Sequence, residues 1–301
     1  MPADWVLAIE GTEAGRDAAM ALALLSAVAH ASFGALQKGR HDPWLTRAAI
    51  DLGYAAMALP VALFVFPLPD ARLWLVLLGV FAIHAAYKWA LAMAYSRGAF
   101  TAVYPVVRGT GPIVTVWLAW MLFGEAFRPL QWLGVVLLSG GIMGLAAVNV
   151  LEMEPIGRRR LRHALWLALV TGVLTAAYTT YDAFGIRLAA DPFTFLAWFF
   201  VVDGVLFPIL AVGWYARMPA RPALGPLALR GIAGGLLGFL SFGGVMLATR
   251  LDKVGEAAAL RETSVVFAAL IGWAILGERI GWARAGLMAV IAAGAVLVEL
   301  G

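Results

Sequence analysis

The sequence predicts an all-α integral membrane protein: ten transmembrane helices arranged as two inverted five-helix repeats. Three observations carry that reading. The 301 residues are 63% hydrophobic and only 13% charged, with a mean hydropathy of +0.88, whereas a soluble domain holds about 25% charged residues. Ten apolar runs approach the roughly 20 residues that a helix needs to cross a ~30 Å hydrocarbon core. One pattern is also written twice: Arg97, Arg108, Gly124-Glu125 and Gly141 recur 153 residues later as Arg250, Arg261, Gly277-Glu278 and Gly294.

The elements follow in order. Residues 1–16 form a polar N-terminal segment with Asp4, Glu10, Glu13 and Arg16, so no cleavable signal is expected there. Span one (17–38) carries Ser26, His30, Phe33 and Gln37 on one stripe. Span two (44–66) opens on Asp42-Pro43, an N-cap carboxylate followed by a first-turn proline, and holds Pro60 further in. Span three (72–95) places His84, Lys88, Leu91 and Tyr95 on one face at i, i+4, i+7 and i+11, flanked by Tyr87 and Trp89. In span four (99–123), Arg108 is followed by Gly109-Thr110-Gly111-Pro112, a run expected to loosen the helix. Span five (128–149) is spaced with glycines and completes a first unit, 17–152.

A basic linker, 153–163, contains Arg158, Arg159, Arg160 and Arg162 and leads into a second unit, 164–301. Span six (161–187) repeats the stripe of span one as Thr171, Thr175, Tyr178 and Asp182 at one constant offset. Span seven (192–216) opens on Asp191-Pro192, as span two does on its own Asp-Pro, and carries Pro208. Span eight (224–249) holds Gly231, Gly234, Gly235 and Gly238. These glycines predict close helix packing rather than a phosphate loop, because no Lys-Ser/Thr follows; Gly140 and Gly144 are read likewise. Span nine (254–276) contains Glu256, Arg261 and Glu262, and span ten (281–300) contains Gly286 and Gly294. Five spans per unit is odd, so the second unit enters the membrane from the opposite side and the pseudo-two-fold axis lies in the membrane plane.

A five-plus-five repeat, with Gly-Glu closing spans four and nine and glycines spaced through five and ten, resembles the drug/metabolite transporter superfamily. Within it the chain is most similar to EamA-type exporters of bacterial inner membranes, over about residues 17–299. The resemblance implies export of amino acids and related metabolites, aromatic amino acids above all, and places both termini in the cytoplasm. The distribution of Lys and Arg, dominated by the 158–162 cluster, argues under the positive-inside rule for both termini outside. The even span count fixes only that the termini share a side.

Composition excludes other classes. With no cysteine, thiol catalysis, thiolate metal sites and disulfides are ruled out. The net charge of +4 is spread over loops and reads as membrane orientation, not nucleic-acid binding. No catalytic or metal-binding motif is present. No enzyme activity, cofactor or metal is therefore expected. The expected partners are a small-molecule substrate and the lipid bilayer, and a monomer is compatible with both.

An ionisable group inside a span costs about 2.5–3.5 kcal/mol on insertion scales, so each is expected to have a partner, a watery cavity or a task. His84, Lys88, Tyr87 and Tyr95 are candidate cavity residues for a zwitterionic, partly apolar substrate; the plainer reading pairs Lys88 with an acid and lets the aromatics pack. His30 and Gln37 of span one, Tyr178 and Asp182 of span six, and Trp198 are further candidate substrate contacts. Small hydroxyls on the same stripes equally fit helix–helix contacts. Arg108 and Arg261 fit either a gate at the substrate carboxylate or a structural ion pair with Glu262, Asp203 or Asp51. The pair is favoured because a buried arginine demands a fixed acid. Glu125 and Glu278 each precede a span and are expected at its helix N-terminus.

The sequence thus reads as a secondary transporter exporting small metabolites by alternating access, with its site among spans 1, 3, 4, 6, 8 and 9. A phosphorylated-sugar or nucleotide-sugar antiporter of the same fold is disfavoured by the few deep cations. A non-transporting scaffold or receptor is the remaining alternative.

Overall fold

The computed structural model describes residues 3–37, 42–98, 100–151, 158–219, 221–276 and 281–301. Gly277-Glu278, much of the 153–163 linker and the Gln37 side chain lie outside the described residues. Among the described residues the chain is helical, without strands. A short α1 (Asp4–Ile9) precedes α2 (Glu13–Gln37), α3 (Pro43–Phe64), α4 (Ala71–Arg97), α5 (Phe100–Phe123) and α6 (Pro129–Leu151). The second unit begins with α7 (Arg158–Leu188). Its next span is split into α8 (Pro192–Asp203) and α9 (Leu206–Ala216). The eighth span comprises α10 (Leu224–Gly238), a π-helical turn at Phe239–Gly243 and α11 (Gly244–Leu251). The ninth comprises α12 (Val254–Glu262) and α13 (Ser264–Leu276), and α14 (Trp282–Leu300) closes the chain. These elements make ten helical spans long and apolar enough to cross a membrane. Leu75, Leu78, Trp89, Trp120, Trp166 and Trp273 point outward from them, as a lipid-facing surface requires.

Local sequence explains the helix starts. Asp42 accepts hydrogen bonds from the Trp44 and Leu45 amides at 2.9 and 3.1 Å, and Asp191 accepts from Phe193 N–H at 2.9 Å. Asp70 caps α4 in the same way through Leu73 N–H at 2.7 Å. The run after Arg108 does not break its helix: α5 passes through both Pro105 and Pro112. Between the two prolines, Thr110 Oγ1 donates back along its own helix to the Val106 carbonyl at 2.8 Å.

Small residues set the closest helix approaches. α6 crosses α14 at Gly134, Gly141 and Gly294; a Cβ on Gly134 would lie 2.6 Å from the Gly294 carbonyl oxygen. α3 crosses α10 where Gly231, Gly234 and Gly235 meet Ala49, Ile50 and Tyr54. Gly144 also packs closely, against Leu287, but nothing lies within 4 Å of a Cβ built on Gly140, so that glycine is not a packing position.

Contacts are exchanged between the units as a two-fold relation demands. α4 packs on α7 as α10 and α11 pack on α2, and α5 packs on α7 as α12 and α13 pack on α2. α3 meets α8, α5 meets α12 and α6 meets α14 across the axis.

Candidate functional site

A cavity of about 380 Å³ lies in the half of the molecule away from the two termini. Its wall is built by the end of α2, the start of α3, the last turns of α4, the early turns of α5, α9 and the π-turn. Phe33, Trp44, Tyr87, Tyr95, Tyr104, Phe207, Trp214 and Phe242 make it strongly aromatic. Arg47, Lys88, Arg108 and His30 bring nitrogen donors to it, and Asp42, the acid on the wall, is engaged in capping α3. Such a wall suits a ligand with an aromatic or apolar body and a carboxylate.

Behind Lys88 lies a continuous ionic network. Its Nζ is 2.9 Å from Asp51 Oδ2 and 2.8 Å from Asp203 Oδ1, and it also donates to the Asp203 carbonyl and to Tyr54 Oη. Arg47 Nε lies 2.7 Å from Asp51 Oδ1. Tyr54 donates to Asp51 at 2.8 Å and is in short contact with Asp203. His84 extends the chain: Nδ1 is 3.2 Å from Asp203 Oδ1, and Nε2 is 3.0 Å from Asp182 Oδ2. Asp203 owes its central position to the break between α8 and α9, which it immediately precedes.

The symmetric arginines form a second cluster. Arg108 Nε lies 2.6 Å from Glu262 Oε2 and its Nη2 donates to Ser264 Oγ at 3.0 Å. Arg261 approaches the other Glu262 oxygen at 3.9 Å, donates to Thr179 at 3.3 Å and sits over the Tyr178 ring. Glu262 is thus the acid that meets these arginines, while Asp203 and Asp51 serve Lys88 and Arg47 instead. Arg108 faces the cavity, whereas Arg261 is about 1% exposed and leaves Nε and Nη1 without hydrogen-bond acceptors.

Of the candidates named from sequence, His30, Tyr87, Lys88, Tyr95 and Arg108 line the cavity. His30 Nδ1 is also 3.0 Å from Ser241 Oγ on the π-turn. His84, Tyr178 and Asp182 lie behind the wall, joined by the His84–Asp182 contact and by Tyr178 packing on His84 and Tyr87. Trp198 does not reach the cavity, because its ring meets Trp74 edge-on at 5.2 Å within the aromatic core. The seam hydroxyls Thr171 and Thr175 bond to carbonyls of their own helix. Sequence reasoning did not single out Trp44, Arg47, Tyr54, Tyr104, Phe207, Trp214 or Phe242. One signal was available: Arg47, Asp51 and Tyr54 share a face of span two at i, i+4 and i+7, which is costly in a membrane unless they have partners.

On the terminal side, arginines hold the ends of α7 and α11 together. Arg187, at the end of α7, donates to the Thr249 and Asp252 carbonyls at 2.8 and 2.7 Å, capping the end of α11. Arg250, at the end of α11, donates in return to the Ile186, Arg187 and Ala189 carbonyls at the end of α7 and pairs with Glu10 at 3.0 Å. Gly124, with φ +67°, ends α5 in a left-handed turn, with Glu125 N–H bonded back to the Ala119 carbonyl. That turn delivers the Glu125 carboxylate to the amides of Val254 and Gly255 (2.8 and 3.2 Å) and to Arg187. The helix N-terminus it serves is therefore α12, not the adjacent α6. Glu278 lies outside the described residues.

No cluster of metal-ligating side chains occurs among the described residues. The profile of the EamA-like transporter family matches residues 17–147 and 162–300. A search of curated proteins finds no match. A crystal structure among the solved proteins aligns at a TM-score of 0.73 over 95% of this chain and 98% of that chain, with 16% sequence identity. That similarity is one of fold.

Proposed function

Since the chain belongs to the EamA-like transporter family, of the drug/metabolite transporter superfamily, we propose that this ten-span membrane protein exports amino acids, aromatic ones in particular, by alternating access. The observation that carries the reading is the aromatic cavity with Arg47, Lys88 and Arg108 on its wall. The rings supply stacking surfaces for an aromatic side chain and the cations a docking point for its carboxylate. Closure of the terminal side by Glu125, Arg187 and Arg250, with the cavity in the opposite half, supports one end-state of a rocking carrier. The segments matched by the family profile support a division into units 17–152 and 164–301 joined by the 153–163 linker. The bacterial inner membrane is the proposed location.

A phosphorylated-sugar antiporter is the weaker reading, because a dianion needs unneutralised cations. Here Asp51 and Asp203 already face Lys88, Asp51 faces Arg47, and Glu262 faces Arg108. Counterflow in proteoliposomes, with a panel of amino acids and with sugar phosphates, tests the proposal. Exchange of phenylalanine, tyrosine or tryptophan is expected. Exchange of sugar phosphates alone refutes the amino-acid reading, and no exchange of any solute returns the molecule to a scaffold.

A further inference from the structure

His84 stands between two carboxylates, with Nε2 at 3.0 Å from Asp182 and Nδ1 at 3.2 Å from Asp203, and all three side chains are less than a tenth exposed. A neutral imidazole has one N–H and one lone pair, so it can donate to only one of two carboxylates. The other contact would set a lone pair against a negative oxygen between buried side chains, where such a clash is costly. An imidazolium donates to Asp182 through Nε2 and sets a positive Nδ1–H, not a lone pair, beside Asp203.

The charge count among the side chains in direct contact points the same way. Three carboxylates (Asp51, Asp182 and Asp203) are met by two fixed cations, Arg47 and Lys88. One more positive charge balances these five side chains, and His84 touches two of the three acids. Tyr178 of α7 and Phe199 of α8, which carry no charge, pack on the imidazole with ring centroids at 4.7 and 5.2 Å. Arg261 lies beyond Tyr178, 5.9 Å from its ring, and shares Glu262 with Arg108, so this neighbouring cluster carries one positive charge more than its acid, directed at Glu262 and Thr179 rather than at His84. Tyr54, neutral, lies against both Asp51 and Asp203 and has one O–H to donate between them.

We propose that His84, held between Asp182 and Asp203, is a proton-binding site, and that its proton and a carboxylate ligand in the cavity bind together, so that the ligand is carried with a proton. The inference rests on the amino-acid reading for its ligand and on the His84 geometry for its proton. Lys88 is the link, because it lines the cavity and is also a counter-charge of Asp203. A ligand carboxylate that engages Lys88 draws positive charge away from Asp203, which then holds the His84 proton more firmly. Linkage is reciprocal, so the protonated carrier binds the ligand more tightly. Efflux down a ligand gradient would therefore take protons along and leave the donor compartment more alkaline.

Calorimetry with phenylalanine and with phenylpropionate, from about pH 6 to about pH 10, tests the linkage on the purified protein. Affinity is expected to hold while His84 stays charged and to fall about tenfold per pH unit once it titrates. In Asp182→Asn, where one carboxylate no longer stabilises the imidazolium, the fall should begin at lower pH. Proteoliposomes loaded with phenylalanine and a pH dye should show the lumen turning alkaline during efflux. Binding that is indifferent to pH, or efflux without proton movement, overturns the proposal while leaving the amino-acid reading intact. If neither ligand binds, the amino-acid reading fails, and nitrogen NMR of histidine-labelled protein decides the proton site separately. His84, assigned by loss of its signals in His84→Gln, should carry protons on both ring nitrogens at neutral pH. A neutral His84 ring overturns the site itself.

Discussion

Replacing Lys88 by methionine keeps a side chain of similar length and deletes one charge from a network that cannot spare it. The Nζ touches Asp51 and Asp203 at 2.9 and 2.8 Å, and the two carboxylates are 0% and 7% exposed. After Lys88→Met the pair would keep only Arg47, bonded to Asp51 at 2.7 Å but 4.0 Å from Asp203. Removing one partner of a buried ion pair costs about 3–5 kcal/mol, because the other charge stays buried and uncompensated. At roughly 2 °C per kcal/mol for a long chain, melting in detergent should fall by about 6–10 °C. The reasoning makes a sharper demand on the double variant. Adding Asp51→Asn restores charge balance while leaving an oxygen for Arg47, so Lys88→Met/Asp51→Asn should recover at least half of the loss. A single variant that melts within a degree of the parent, or a double variant no better than the single, would refute the claim that charge pairing holds Lys88 in place. Transport assays on Lys88 variants should be read only beside these melting data, since Lys88 both lines the cavity and anchors the network.

Three further outcomes are expected. Arg108→Gln should weaken phenylalanine binding about tenfold or more by removing a cavity cation, measured by calorimetry on protein whose helicity is unchanged. Because the chain has no cysteine, a single Ala183→Cys, buried on the terminal side against Ala119 and Val254, should resist thiol labelling in the parent. It should label readily once Arg187→Ala or Arg250→Ala removes the mutual capping of α7 and α11, and equal labelling would deny those arginines a closing role. Gly134→Ala should lower stability by about 1–3 kcal/mol through overpacking at the α6–α14 crossing. Gly140→Ala, two turns along but facing open space, should change it by no more than about 0.5 kcal/mol.

The ten spans were legible because length, hydropathy and Asp-Pro or Gly-Glu punctuation are local signals, and membrane burial leaves helix as the economical backbone solution. The two-unit organisation was legible from residue spacing alone. The site was legible in part. Span-three periodicity placed His84, Lys88 and Tyr95 on one face, and that face does point inward, but periodicity carries no depth. Lys88 reaches the cavity while His84, one turn away, turns to Asp182 and Asp203. Partner choice was also beyond reach. Asp203 could have met Arg261 or Lys88, and only the break between α8 and α9 directs it to Lys88. Phe207 and Trp214 read as ordinary apolar residues of a span, and nothing local separates a wall aromatic from one facing lipid. Glu125 shows the same limit: its helix N-terminus was predicted by type, but the left-handed turn at Gly124 assigned it to a helix far along the chain.

The interruptions in spans seven, eight and nine all belong to the second unit, whereas α3, α4 and α5 run through the corresponding positions unbroken. Duplication gave two copies of one plan, and they no longer share the labour equally. The first copy keeps continuous helices. The second has gathered the joints, and with them the Asp203 corner and the π-turn that presents Ser241 to His30. Under the alternating access proposed above, the two arms are therefore unequal, and a protein assembled from two first units would lack the helix breaks of spans seven, eight and nine.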